Sequence, residues 1–328
     1  MLSRVAENLF WMARYIERAD GLARLMDQAC QMDVDVELEE HPGTFPPSQG
    51  PLETILEILA CREAWNGKPV PQGPQGAAEM LDFLAFRASG GQSIRSMVSL
   101  ARENARSTQE CLSAEVWNQV NRLHLSLASR RSELRFLASP ARFLDWVKRS
   151  CILVTGLVND TLPRDEPYHF LQLGCFLERI DMTTRILAGA GSQALLVGAD
   201  SPSDPRGELE EVRWNGLLKS VGAQDAYLRR LGGLATSEGT LRFLVLEQDF
   251  PRSLRFSLKR CLESLQEIGG NETFKQVSEA EKLLGRLESD LRYLEPEDVL
   301  DRGLVEFLGQ IQKTCGQVGN EIAREYFT

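Results

Sequence analysis

Two short stretches carry the residues best placed to do chemistry. Tyr15-Ile-Glu-Arg-Ala-Asp20 returns as Phe176-Leu-Glu-Arg-Ile-Asp181, and the same offset carries Arg24 onto Arg185. Glu17 and Glu178, if brought face to face, would form a carboxylate pair of the kind used for proton transfer or glycoside cleavage. The neighbouring Arg18 and Arg179 weigh against a general acid, because a guanidinium holds a carboxylate ionised. The same residues also fit a polar binding site or an internal ion-pair network, since both perturb charged groups alike. A further group lies in Ala101-Arg-Glu-Asn-Ala-Arg106. Arg95, Arg102 and Arg106 fall on one stripe of a helix, with Glu103 and Asn104 beside them. Three guanidinium groups in a row suit a phosphate or carboxylate, or pairing with acidic residues of neighbouring helices.

These residues need helices to position them. Glu17 and Arg24 are two turns apart on one side of a helix, with Asp20 between them and four residues before Arg24. Ile16, Ala19, Ala23 and Met26 form an apolar stripe alongside. The second copy repeats this plan with Glu178, Asp181 and Arg185. Each helix is apolar around much of its circumference with charges embedded in it, which predicts a central position. Charges so placed cost several kcal/mol each unless paired. The expectation is that the two motif helices lie against each other, with a Glu of one reaching an Arg of the other or the Arg102/Arg106 stripe. A pattern returning half a chain away is the signature of an internal duplication.

The periodicity predicts an all-α fold, a single large bundle of about a dozen helices over residues 1–328, with halves near 1–138 and 139–328. Interior loops are expected near 41–51, 67–76 and 192–205, where Pro and Gly cluster. The first helix is expected to end near Met32 and one helix to run from Val116 to Leu137. Others are expected over Leu52–Trp65 and Ala77–Ala88, and the second motif helix is expected to end at Gly189 and Gly191. Leu241-Arg-Phe-Leu-Val-Leu-Glu247 is a short apolar run that could be strand by periodicity alone but, without partner strands, reads as helix.

The formal net charge is −10, which argues against general nucleic-acid binding. Seven cysteines at no metal spacing, most of them inside apolar runs, read as buried thiols in a reducing cytosol. His41, His124 and His169 are too scattered for a histidine-rich metal site. Arg4 and Glu7 interrupt any signal-peptide core, and no apolar run is long enough to span a bilayer. A cytoplasmic protein is expected. Nucleotide-binding glycine loops, metal-binding histidine pairs and nucleophile elbows are all missing from the sequence, so no cofactor is expected.

The opening Met1-Leu-Ser-Arg-Val-Ala-Glu-Asn-Leu-Phe-Trp-Met-Ala-Arg-Tyr-Ile-Glu-Arg18, the Ala101–Arg106 block and the His169–Leu187 block resemble the bacterial alpha-E proteins. These are helical domains of unknown function with a Glu-Arg motif. Trp214, Asp249-Phe-Pro-Arg252 and Glu325-Tyr-Phe327 are similar to later blocks of that family. Gly174, Cys175 and Ile180 depart from residues frequent in related chains, which removes a positive charge near Cys175. The resemblance implies a neighbourhood of a circularly permuted ATP-grasp protein and a transglutaminase-like protein. An accessory or binding helical subunit of an ATP-grasp-linked, peptide- or amide-bond-forming system is the expected role. The alternative is an enzyme acting on a peptide or amino-acid substrate in a Glu/Arg-lined pocket, and the sequence leaves open which holds. The binding candidates are Glu17, Arg18, Arg24, Arg102, Glu103, Asn104, Arg106, Glu178, Arg179, Arg185 and Arg252.

Overall fold

The computed structural model describes residues 1–38, 51–65, 74–88, 90–196, 206–269, 277–295, 298–299 and 303–328. The expected loops at 41–50, 67–73 and 197–205 lie outside these residues. Fourteen α-helices and no strand occur among the described residues. None of these helices is long and apolar enough to cross a membrane.

The chain divides into two compact units. A flanking unit takes Met1–Arg14 together with Leu162–Thr328, and an inserted unit takes Tyr15–Thr161. Helix α1 (Ser3–Leu38) therefore contributes its first turns to one unit and the rest to the other. The division expected near 138/139 falls inside the inserted unit.

In the inserted unit, α1 is followed by α2 (Pro51–Ile58), α3 (Pro74–Asp82), α4 (Ile94–Arg106), α5 (Ala114–Ala128), α6 (Arg130–Ala138) and α7 (Pro140–Thr161). Proline opens α2, α3 and α7 at the first helical position, where its missing N–H costs nothing. Ser93 starts α4 in a capping box with Ser96. Helix α4 packs on α5, and α5 and α6 both pack on α7. Lys148 on α7 reaches Asp27 on α1 at 2.8 Å. Phe86, Phe136 and Phe143 form a triangle with centroids 5.3–5.5 Å apart.

In the flanking unit, α8 (Glu166–Leu196) is followed by α9 (Arg206–Ser220), α10 (Gln224–Leu231), α11 (Ser237–Leu241), α12 (Leu254–Gly269), α13 (Glu279–Arg292) and α14 (Leu304–Tyr326). Helices α12 and α14 both pack on α8, and α13 packs on α12 and α14. The beginning of α1 joins this core. Phe10 meets Phe327 at 5.4 Å, and a Cβ on Gly174 of α8 would collide with the Phe10 backbone carbonyl. Only glycine allows the two helices to come this close.

Both units contain one unusual device. A short helix runs directly into a π-helical turn, Phe83–Arg87 in the inserted unit and Arg242–Leu246 in the flanking unit. The next residue is extended in almost the same way, Ala88 at φ −62°, ψ 132° and Glu247 at φ −63°, ψ 131°. A serine hydroxyl then donates back to that residue's carbonyl, Ser93 to Ala88 at 2.6 Å and Ser253 to Glu247. The same two serine oxygens accept the third backbone N–H of the helices they start, α4 and α12. The plan of long motif helix, π-turn and serine clasp thus occurs in each unit.

Several sequence expectations need correction. The helix expected over Val116–Leu137 breaks at Ser129, which is extended at ψ 142°. The Ser129 and Ser132 hydroxyls both donate to the Ser126 carbonyl at 2.7 Å, and such side-chain bonds compete with helix continuation. Helix α8 passes Gly189 and Gly191 and ends at Leu196. An interior glycine costs about 1 kcal/mol, too little by itself to stop a helix. Helix α1 runs beyond Met32 to Leu38, while α2 stops at Ile58, well short of Trp65. Ala77–Arg87 and Leu241–Leu246 are helical, one residue short of the expected ends, and each holds a π-turn that periodicity does not mark.

Candidate functional site

Each unit holds one copy of the motif. In the inserted unit, Glu17 and Asp20 are buried on α1, and Arg24 Nε meets Asp20 Oδ2 at 2.8 Å. The Arg18 guanidinium lies over the Tyr15 ring at 5.9 Å. Cys151 on α7 is fully buried near these carboxylates. Burial drives its thiol well above the ordinary range, Asp20 and Glu17 add to this, and Arg24 opposes it. The thiol is therefore protonated and a poor nucleophile.

In the flanking unit, Glu178 has no exposed side-chain surface and takes Arg14 Nε at 2.7 Å. Arg14 itself rests against Trp11 at 5.0 Å and Phe10 at 5.6 Å. This is the expected helix-to-helix Glu–Arg contact, made by Arg14 of α1 with Glu178 of α8. Arg179 points the other way. Its Nη1 donates to the Pro251 carbonyl at 3.0 Å, its Nη2 meets Cys175 Sγ at 3.5 Å, and it stacks on Phe176 at 4.9 Å. Thr183, one turn later, donates to the Arg252 carbonyl at 3.3 Å. The motif arginine and Thr183 thus fasten the Phe250–Arg252 loop that leads into α12. Arg185 Nε meets Asp181 Oδ2 at 2.9 Å, matching the Arg24–Asp20 pair of the other unit.

Burial also holds the nearby thiols neutral. The Cys315 thiol is pushed up to about 12, by burial first and by Asp181 second. Burial, then Cys315 and Cys175, raise the Cys261 thiol well above its usual value.

The arginine stripe of α4 divides. Arg95 pairs with Glu133 of α6 at 2.8 Å, donates to the Leu127 carbonyl at 3.1 Å and stacks on Phe86 at 4.6 Å. Arg102 bonds its neighbour Glu103, donates to Asn121 at 3.3 Å and lies over Trp117 at 5.6 Å. Arg106 is largely exposed and bonds Glu103 at 3.0 Å. Glu103 is accordingly held below the usual carboxylate range by Arg102 and Arg106. Asn104 takes part through its carbonyl, which accepts from Thr108 at 3.0 Å. The bonds described for Arg102 and Arg106 stay within α4 and α5, where the sequence reading offered the motif glutamates as partners. Their nearest acid is simply one or three residues away on the same helix, where no packing is needed to bring it close.

His124, on α5, has its pKa lowered by burial first and then by Arg102, while Glu103 opposes this. A lowered folded value means the unfolded chain binds the proton more readily. Stability from neutral His124 is present above its ordinary value of 6.5 and is lost as pH falls through the lower folded value. His124→Gln is expected to shrink the difference in melting temperature between about pH 7.5 and about pH 5.5. Thermal melts of parent and variant at both pH values check this.

Sequence reasoning missed Arg14 and the Pro251 carbonyl. Arg14 had a signal, being a lone cation between Phe10-Trp-Met-Ala and Tyr15-Ile. A backbone carbonyl in a loop carries none.

Residues 1–327 match the Alpha-E family, described as a predicted alpha-helical domain with a conserved ER motif. The chain is 21% identical over 311 residues to uncharacterized proteins of Mycobacterium bovis and of two strains of Mycobacterium tuberculosis. The match takes in 90% of this chain and 33% of each of theirs, so the chain spans about a third of the length of these relatives. No solved structure matches.

Proposed function

We propose that this chain, which belongs to the Alpha-E family, is an accessory helical subunit of an ATP-grasp-linked system that forms peptide or amide bonds. On this reading the Glu-Arg motif shapes the subunit and performs no reaction itself. One observation carries the reading: the second motif is dry and internally paired, with Glu178 buried against Arg14 and Arg179 bonded to the Pro251 carbonyl. A general acid or base must reach a substrate proton, and a carboxylate with no exposed surface does not. The neutral thiols around both motifs supply no nucleophile either. The greater length of the mycobacterial relatives supports a domain that works beside other domains or chains. Seven free cysteines support a bacterial cytoplasmic setting. The recurring plan of the two units, with matching Asp–Arg pairs, supports an internal duplication.

The test is direct. The genes beside this one are searched for a circularly permuted ATP-grasp protein and a transglutaminase-like protein, and the chain is purified together with each that is found. Co-elution of the chain with the ATP-grasp protein, and a change in that protein's ATP turnover on adding the chain, is the expected result. No association and unchanged turnover would sink the reading.

A further inference from the structure

The serine clasp places an arginine two residues downstream in each unit, Arg95 after Ser93 and Arg255 after Ser253. Their surroundings differ. Arg95 is satisfied by Glu133, the Leu127 carbonyl and the Phe86 ring. Arg255 is half-buried and makes no hydrogen bond or ion pair among the described residues. It lines a groove of ≈ 400 Å³ formed by α12, α13 and the loop before α12. Lys259, one turn further along the same face of α12, lines it too and is likewise without an ionic partner among the described residues. The two carboxylates of the groove are already neutralised. Glu288 is bonded by Arg292 through both oxygens, at 2.9 and 3.0 Å. Glu263 meets Arg260 at 2.7 Å. Two cations are left over in a groove of a chain whose net charge is −10. Phe256 and Leu262 add apolar wall.

We propose that this groove binds a phosphate monoester with an apolar body: Arg255 and Lys259 hold the dianionic phosphate while Phe256 and Leu262 hold the rest. The chemistry selects the ligand. Arg offers a planar fork to two phosphate oxygens, Lys adds a compact point charge, and two cations match two negative charges. A ligand of this size buries its organic part against aromatic and aliphatic side chains while a few polar groups fix its orientation. The site lies wholly in the flanking unit, so it stands or falls independently of any partner of the chain.

Phenyl phosphate is the probe, titrated into the full chain by calorimetry in about 0.15 M salt. Saturable binding is expected, weakened roughly tenfold or more in both Arg255→Gln and Lys259→Gln, and unchanged in Arg122→Gln on the other unit. Benzoate, with one charge, is expected to bind more weakly than phenyl phosphate, and so is inorganic phosphate, which lacks the ring. Circular dichroism of each variant establishes that it is folded. No saturable binding, equal affinity in parent and both groove variants, or benzoate binding as tightly as phenyl phosphate each overturns the assignment.

Discussion

Glu178→Ala is expected to lower the stability of the protein by about 3–5 kcal/mol. The carboxylate has no exposed surface, and its partner Arg14 is 15% exposed at the side chain and walled by Phe10 and Trp11. Truncating the glutamate leaves a guanidinium with little access to water and no anion facing it, which is the costly half of breaking a buried pair. At roughly 2–4 °C per kcal/mol for a unit of this size, the melting temperature falls by on the order of 10 °C. A double-mutant cycle with Arg14→Met gives the coupling. The double variant should be less destabilised than the two single variants added together, because no unpaired charge remains. A Glu178→Ala variant that melts with the parent would remove the basis for a structural motif and reopen the catalytic reading.

Gly174→Ala is expected to reverse the usual sign of its substitution. In a helix interior alanine is favoured over glycine by about 1 kcal/mol. Gly156 in α7 has no heavy atom within 4 Å of the site where a Cβ would stand, so Gly156→Ala should show that gain. At Gly174 the same methyl would land on the carbonyl oxygen of Phe10, a backbone atom that cannot swing aside. The helices must separate, which loosens Phe10 against Phe327 and the neighbouring Arg14–Glu178 pair. Overpacking of this kind costs ~1–3 kcal/mol, occasionally more. Chemical denaturation of the two alanine variants side by side checks it. Equal stabilisation in both would show that α1 and α8 are not in close contact at Phe10 and Gly174.

Helix type, burial of the motif and the Asp–Arg pairs were legible because each is local. Asp20 and Arg24, or Asp181 and Arg185, are four residues apart, so helical geometry alone brings them together. The need for a cross-helix partner of Glu178 was legible too, from a charge set in an apolar helix. Which arginine answers it was not, because Arg14 and Glu178 meet only through tertiary packing, permitted by a glycine whose role depends on its neighbour. The π-turns escaped for a different reason. An extra residue in a turn leaves composition untouched and shifts periodicity for only a few positions, so Phe83–Arg87 and Arg242–Leu246 read as ordinary helix. The groove beside Arg255 was invisible in principle, because an arginine without a partner looks the same in sequence as one with a partner.

The division of α1 at Arg14 and Tyr15 bears on the order in which the chain acquires its structure. On the ribosome, Met1–Arg14 emerges well before the rest of its core, which begins at Leu162. All of Tyr15–Thr161 is made in between and is a compact unit in itself. At roughly 5–20 residues per second, that unit has seconds in which to form before α8 exists. Through that interval Phe10, Trp11 and Arg14 wait without their partners Phe327 and Glu178. The flanking unit closes only once the residues from Leu162 onward have been made. The first turns of α1 thus offer a nascent-chain chaperone an opportunity that lasts for seconds.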